Sequence, residues 1–357
     1  MKNLSTFILA ISAAFSFNSC KKEDPQPIPV DSFSSRQLIL SDIATNVISA
    51  TYKDVSEKGI ALKSNIDALV FSASDENLNA CRTDWKALKS AWSQTEAFAY
   101  GPVITDEISA KINTWPLNKT GVDSILASSV VFSDSYLDGL PGNLKGLQAI
   151  EYILFGADGN KLASALTQRE LLFLNALVFK NQILINALAT NWKTDSSVGY
   201  FKPFVYAGDG SGIYSSQIIV YELIADTLIN VLNRIVGNET TVPFNLTNQT
   251  LEAIPYSTNT IKTFRDNIQG IKNIYIGSYL IDGKGLEEFV NIYNTTLNAK
   301  IKQQLDEALA ALSAITDPFG VAITTQAPQI QTAITKINAL KISLKDEMLP
   351  LFKSKIN

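Results

Sequence analysis

The chain has 357 residues, of which 46% are hydrophobic and 18% are charged, and its formal net charge is -4 at pH 7. This composition is typical of a folded globular protein and argues against a long disordered segment. The mildly acidic balance provides no broad basic surface, so we expect no nucleic-acid partner. Because single hydrophobic cores rarely grow far beyond about 250 to 300 residues, we expect two domains.

Histidine is absent from the whole sequence, and only two cysteines occur. Without histidine the chain cannot build the Ser-His-Asp or Cys-His arrangements that activate a nucleophile. Cys81 lies in a helical pattern between Leu78 and Trp85, where a small buried side chain is expected. No disulfide framework is expected from two cysteines in such different contexts.

Residues 1–20 have the pattern of a signal peptide that ends in a cysteine. A lysine at the second position precedes an apolar run from Phe7 to Phe17, and Ser19 directly precedes Cys20. The run is shorter than the ~20 apolar residues that a transmembrane helix needs. We predict a lipoprotein signal peptide, in which Cys20 is acylated and becomes the first residue of the mature protein. A simple secretory peptide is the alternative.

A proline-rich tether is predicted over residues 21–34, where it would hold a folded domain off the bilayer. The charged residues 21–24 resemble the tetrads that send some lipoproteins to the outer face of the outer membrane. We therefore expect an exported protein that is anchored to the outer membrane through lipidated Cys20 and exposed at the cell surface.

Apolar residues recur every three to four positions from about Ser34 onward, and no alternating strand series appears. These patterns predict an all-α protein with an N-terminal helical bundle over 35–200 and a C-terminal four-helix up-down bundle over 201–357. Residues 101–145 have only short helical pieces and are predicted to form an irregular insertion. Long insertions in compact bundles are often functional.

Two helices of the first bundle have clear end signals. One is predicted from about Asp75 to Tyr100, with Ser74 as N-cap and a Gly-Pro pair as the stop. The other begins at the capping box Thr167–Glu170 and continues to about Trp192. Its interior is apolar almost all round, which is typical of a central bundle helix.

The second bundle is predicted from four long stretches that carry the helical period and are separated by turn signals. The boundary between the bundles is placed in 193–212, which contains glycine, serine and aromatic residues without a helical period. The four predicted helices cover about residues 213–236, 258–281, 285–315 and 328–354.

The sharpest local motif is Gly146-Leu-Gln-Ala-Ile-Glu151-Tyr-Ile-Leu-Phe-Gly156. Gln148 and Glu151 are three residues apart and therefore share one helix face with apolar neighbours. A buried carboxylate is costly unless it is paired or coordinated, so Glu151 should have an arginine, a lysine, backbone amides or a cation as its partner. A structural role and a ligand-binding role both stay open.

This motif resembles the signature of the imelysin-like family, which is Gly-x-His-x-x-Glu followed by an apolar helix and a glycine. The resemblance covers most of the chain after residue 75. It implies two helical bundles with the signature near their interface, export to the envelope, and proposed links to iron uptake or peptidase activity. Further stretches agree with the family in the same order: Trp92-Ser-Gln-Thr-Glu96, Phe98-Ala-Tyr-Gly101-Pro102, Ile112-Asn-Thr-Trp115-Pro116, Tyr256-Ser-Thr-Asn-Thr260, Asn267-Ile-Gln-Gly270 and Tyr275-Ile-Gly277.

The chain departs from the family signature at Gln148, which stands where the family has histidine, so the imidazole that would bind zinc or iron is missing. Gln148 and Glu151 could still ligate a hard divalent cation or an iron cation with water completing the shell, and no zinc is expected. Glu96 is expected to approach Glu151, so that the two carboxylates bind a cation or share a proton. The other candidate binding residues are aromatic and serve either as core or as a ligand platform: Trp92, Trp115 and Tyr152.

Three classes of function follow from these residues. We expect foremost an envelope-anchored lipoprotein that binds a ligand, which could be metal-related, in connection with iron uptake and without peptidase activity. A protein-interaction module of an outer-membrane assembly is the second class, and it predicts an exposed apolar patch and an envelope protein partner. A metallopeptidase is the third, and the absence of histidine speaks against it.

Overall fold

The computed structural model describes residues 30–194, 199–248 and 251–356. These ranges contain helices, turns and loops and no strand, which confirms the predicted all-α fold class. The predicted signal peptide, the lipidated Cys20 and the tether up to residue 29 lie outside the described residues.

The first long helical hairpin is built from α1 (Phe33–Asp42), α2 (Ala50–Phe71) and α3 (Asp75–Thr95). A π-helical stretch, Ile43–Ser49, joins α1 to α2 without a break. The predicted N-cap of α3 is confirmed, since the Ser74 side chain accepts a hydrogen bond from the Asn77 amide at 3.2 Å. This cap satisfies one of the free amides in the first turn.

The predicted irregular insertion consists of short helices between α3 and the signature motif. They are α4 (Pro102–Thr105), α5 (Ile108–Ile112), α6 (Lys119–Ala127) and α7 (Asp134–Gly139), and α8 (Gly146–Phe155) carries the signature. Gly146 is required at the start of α8, because its φ is +74° and an added Cβ would lie 2.3 Å from the Ile112 carbonyl oxygen. The insertion and the signature helix are therefore in direct backbone contact.

The central helix of the first half is α9 (Gln168–Asn191), which packs against α2 and α8. Its predicted capping box is confirmed: the Thr167 side chain accepts from the Glu170 amide, and the Glu170 side chain accepts from the Thr167 amide at 2.8 Å. By length and composition alone α9 could cross a membrane, but 44% of its most apolar stretch is buried inside the protein.

The second half contains the predicted helical stretches with several interruptions. The stretch predicted over 285–315 is divided at Asn294, whose side chain caps a new helix by accepting from the Leu297 amide at 2.9 Å. The stretch predicted over 258–281 ends earlier, because Gly277 adopts a left-handed C-cap with φ +74°. The helices are α10 (Phe201–Val205), α11 (Gln217–Arg234), α12 (Val242–Leu246), α13 (Thr260–Ile276), α14 (Leu286–Tyr293), α15 (Thr295–Ser313), α16 (Phe319–Thr325), α17 (Ala327–Ile342) and α18 (Leu349–Lys355), with π-helical stretches at Ile235–Thr241 and Ser343–Met348.

Helices α3 and α13 bring the two halves of the chain together. Their backbones approach closely at Gly270, where an added Cβ would lie 2.3 Å from the carbonyl oxygen of Gln94. The buried apolar side chains of both halves belong to one continuous cluster. The division into two bundles near residue 200 stays a prediction. The contact between α3 and α13 positions the residues around Glu151.

Candidate functional site

Glu151 lies on α8 and is fully buried, with a relative exposure of 0%. Its Oε1 accepts hydrogen bonds from the Ser257 backbone amide at 2.7 Å and from the Ser257 hydroxyl at 2.8 Å. Its Oε2 is also buried and has no hydrogen-bond partner among the residues that the structure describes. Burial raises the pKa of Glu151 to about 7, against the lowering effects of the Ser257 hydrogen bonds and of the Lys89 charge.

Gln148 lies one turn before Glu151 and is also buried. Its Nε2 lies 3.5 Å from Asn113 Oδ1 and 3.5 Å from the carbonyl oxygen of Ala253, which are long distances for hydrogen bonds. The predicted shared face of Gln148 and Glu151 thus points into the interior. It meets the insertion on one side and the residues before α13 on the other.

Residues 251–259, which we name the covering segment, lie over the signature motif. Besides Ser257 and Ala253, this segment contributes Glu252, whose carbonyl oxygen accepts from the Trp115 indole at 3.2 Å. Thr260 donates to the Glu252 carboxylate at 2.8 Å, and burial raises the pKa of Glu252 to about 7. The site therefore holds a second buried carboxyl group that sequence reasoning missed, because its segment has no helical period.

Lys89 is the least expected member of the site, since it is a lysine on the buried face of α3 with a relative exposure of 2%. Its ammonium group donates to Asn113 Oδ1 at 3.0 Å, so Lys89 and Gln148 meet at the same oxygen. Burial lowers the pKa of Lys89 to about 8, although the charges of Glu96, Glu239 and Glu151 oppose this effect. The signal in the sequence is its position four residues after Trp85, which places Lys89 on the same buried face of α3.

Glu96 does not pair with Glu151 as the two-carboxylate expectation had it. Its carboxylate lies 3.7 Å from Arg234 Nη2, and Arg234 Nη1 lies 2.6 Å from Glu239 Oε1. No hydrogen bond or ion pair joins Glu96 to Glu151 within the described ranges. The reason is Arg234, which takes Glu96 as a partner, while Lys89 lies within electrostatic reach of both carboxylates.

The three aromatic candidates have different positions. Trp92 is buried in the core, and its indole N–H has no partner among the described residues. Trp115 is half-buried, and its indole N–H donates to the Glu252 carbonyl oxygen in the covering segment. Tyr152 lies at the rim, where its hydroxyl donates to Asp123 at 2.7 Å and its ring packs 5.1 Å from that of Tyr256. Trp115 and Tyr152 therefore contact the covering segment directly.

Helix α13 and the residue before it add further polar groups to the interior. Asn259, Thr263 and Asn267 are all buried. The side-chain amide nitrogens of both asparagines, the Thr263 hydroxyl and the Asn267 side-chain oxygen lack hydrogen-bond partners in the part of the chain that the structure describes. Buried polar groups are normally hydrogen-bonded, so such a set marks a place that can receive a polar ligand or water.

The donor set does not fit a metal ion. The sequence has no histidine, and no group of three or more acidic or cysteine side chains in the described ranges could hold a metal. Gln148 and Glu151 supply two ligands, to which water could add others, but the buried Lys89 charge would repel a cation that is bound between them. The site instead offers both donors and acceptors.

Comparison with known proteins identifies relatives over most of the chain. The family model described as Imelysin matches residues 48–345. Iron-regulated protein A of Synechococcus elongatus is 24% identical over 310 residues, which is 85% of this chain and 83% of that protein.

Two solved structures share the fold. An iron-regulated protein A precursor from Parabacteroides distasonis superposes with a TM-score of 0.81 at 22% identity, covering 92% of this chain and 97% of that one. An imelysin-like protein from Psychrobacter arcticum has a TM-score of 0.73 at 14% identity, covering 91% and 97% of the two chains.

Proposed function

This chain belongs to the imelysin family, and from this premise we propose that it is an envelope-anchored lipoprotein that binds a ligand in connection with iron uptake and has no peptidase activity. The relative from Synechococcus elongatus carries the name iron-regulated protein A, which supports the link to iron. The ligand would be held at the buried polar site around Gln148 and Glu151.

The observation that carries the proposal is the free oxygen of Glu151. Leaving a buried polar atom without a partner costs about 1 to 3 kcal/mol, and more when the group is charged. Glu151 Oε2 is such an atom, and further buried polar atoms without partners among the described residues occur on α13 at Thr263 and Asn267. A small polar ligand that both donates and accepts hydrogen bonds would satisfy this set.

The lack of peptidase activity follows from the side chains. A zinc peptidase needs nitrogen-rich ligands and an open coordination position, and this sequence contains no histidine. Gln148 replaces the expected imidazole with an amide that binds zinc poorly. We expect no hydrolysis of casein by the purified protein with or without added zinc, and zinc-dependent hydrolysis that Glu151→Gln abolishes would contradict this expectation.

The envelope location rests on Cys20 and the residues around it. We expect the protein to fractionate with membranes, and we expect the Cys20→Ser variant, which cannot be acylated, to appear in the soluble fraction. Equal membrane association of both forms would refute anchoring through this cysteine.

Growth under iron limitation tests the proposed function. In a strain that lacks the gene, the wild-type protein should restore growth in iron-depleted medium, and Glu151→Gln should restore it poorly. Glu76→Gln is the matched control, because Glu76 is exposed in the first turn of α3 and loses the same charge. Equal growth of all three strains would contradict a role for the buried site.

A second candidate function, a protein-interaction module, is favoured by a stripe on α9. Leu172, Phe179 and Ile183 are each between 44% and 48% exposed and lie on one helix face. If this stripe carries the function, the double variant Leu172→Glu and Phe179→Glu should fail in the same growth assay. In that case Glu151→Gln should restore growth in iron-depleted medium as well as the wild-type protein does.

A further inference from the structure

We propose that Lys89 is the resident cation of the site, so that its ammonium group takes the position in which a metal ion would otherwise compensate the buried carboxylates. This inference rests on the proposed location of the site around Gln148 and Glu151. It assigns a specificity role to a residue that lies outside the signature motif. It also explains why a member of this family can hold Gln148 where a metal ligand is expected.

The geometry around Asn113 links Lys89 to the signature motif. The Asn113 side-chain oxygen accepts from the Lys89 ammonium at 3.0 Å and lies 3.5 Å from the Gln148 amide nitrogen. A neutral amide tolerates this proximity to a cation. A metal ion that is bound through residue 148 would meet the ammonium charge across a single oxygen atom, in an interior where charges are poorly screened.

The balance of buried charge also favours Lys89 as the resident cation. Arg234 already contacts both Glu96 and Glu239, at 3.7 Å and 2.6 Å. No arginine forms an ion pair with Glu151 among the described residues, and the charge of Lys89 is one of the causes that lower its pKa. Burying an ammonium group is unfavourable unless carboxylates or polar groups receive it, and Lys89 is received by the Asn113 side-chain oxygen and by the charges of Glu96, Glu239 and Glu151.

The position of Lys89 on α3 makes this arrangement rigid. The side chain leaves a buried helix face between Trp85 and Trp92, both of which are fixed in the core. The Trp85 indole donates to the Leu147 carbonyl oxygen at 3.0 Å, which ties this part of α3 to α8. The ammonium group is therefore held beside the signature helix by packing on both sides.

A titration with manganese(II) tests the proposal on the full-length protein in detergent. We expect wild-type protein to bind no manganese at this site and Lys89→Met, which keeps the length but removes the charge, to gain one saturable site. Its dissociation constant should be at least tenfold lower than any weak binding by wild type. Adding Glu151→Gln to Lys89→Met should abolish the new site. Lys53→Met is the matched control, since the Lys53 side chain is 78% exposed.

Equal binding by wild type and Lys89→Met, or no binding by either, would overturn the inference. A measurement on wild-type protein covers the case in which Lys89→Met does not fold. Nitrogen-15 NMR of lysine ammonium groups should show, besides a signal from the buried Lys145, a protected signal that disappears in Asn113→Ala. The absence of a protected signal that responds to Asn113→Ala would also overturn the inference. Failure of the proposed function would be seen in a different experiment. In the growth assay, Glu151→Gln would then restore growth as well as the wild-type protein does.

Discussion

Replacing Glu151 with glutamine should remove a pH-dependent loss of stability. Burial raises the pKa of Glu151 from 4.5 to about 7. Because each tenfold change in proton affinity is about 1.4 kcal/mol, ionising this carboxyl group costs about 3 kcal/mol more in the folded protein than in the unfolded chain. The protonated carboxyl group makes its full contribution to the free energy of unfolding below pH 4.5. This contribution is lost as the pH rises from 4.5 through about 7.

Glutamine has nearly the shape of the protonated carboxyl group, can accept both Ser257 hydrogen bonds, and cannot ionise. We therefore expect wild type and Glu151→Gln to have similar free energies of unfolding near pH 5. At about pH 7.5 the variant should be more stable by about 2 to 3 kcal/mol. Glu252, whose pKa burial also raises to about 7, contributes a slope of the same sign to both proteins, and its charge is one of the causes that raise the pKa of Glu151.

The assay is urea unfolding followed by circular dichroism at several pH values between about 5 and 7.5, the range in which Lys89 keeps most of its proton. Glu76→Gln serves as control, and its stability should follow that of wild type at every pH because Glu76 is exposed. Parallel curves for wild type and Glu151→Gln would refute the reasoning, since they would mean that Glu151 ionises as easily in the folded protein as in the unfolded chain.

Two further predictions concern the contacts that build the site. Ser257→Ala removes the 2.8 Å hydrogen bond from the hydroxyl to the Glu151 carboxylate and should raise the pKa of Glu151 further, moving the loss of stability to higher pH in the same urea series; an unchanged or lower transition pH would contradict this. Gly270→Ala places a methyl group 2.3 Å from the Gln94 carbonyl oxygen and should lower the free energy of unfolding by about 1 to 3 kcal/mol. Gly237→Ala, where the added atom meets nothing within 4 Å, should be close to neutral, and equal losses in both variants would argue against close packing of α3 and α13.

Local signals in the sequence were sufficient for much of the helical architecture. The N-cap at Ser74 and the capping box at Thr167 act within one helical turn, so they could be found without knowledge of the fold. The end of α13 at Gly277 and the break at Asn294 were missed. Glycine and asparagine at these positions are also compatible with a continuing helix, and the deciding cap geometry forms only in the folded chain.

The candidate site was predicted only where one helix determines it. The spacing of Gln148 and Glu151 was enough to place both on one face, and both are buried. The roles of Lys89, Asn113 and Ser257 could not be predicted, because these residues lie in different segments and meet only through tertiary packing. A lysine on the apolar stripe of α3 was the one available signal, and it becomes meaningful once its carboxylate neighbours are known.

The most direct test of the central claim is the initial rate of radioactive iron uptake by cells that produce wild-type protein, Glu151→Gln or Glu76→Gln at equal levels. The proposed function predicts that Glu151→Gln lowers the rate to that of cells without the protein, whereas Glu76→Gln leaves it at the wild-type value. Equal uptake in all strains would contradict the claim that the buried site around Glu151 serves iron uptake.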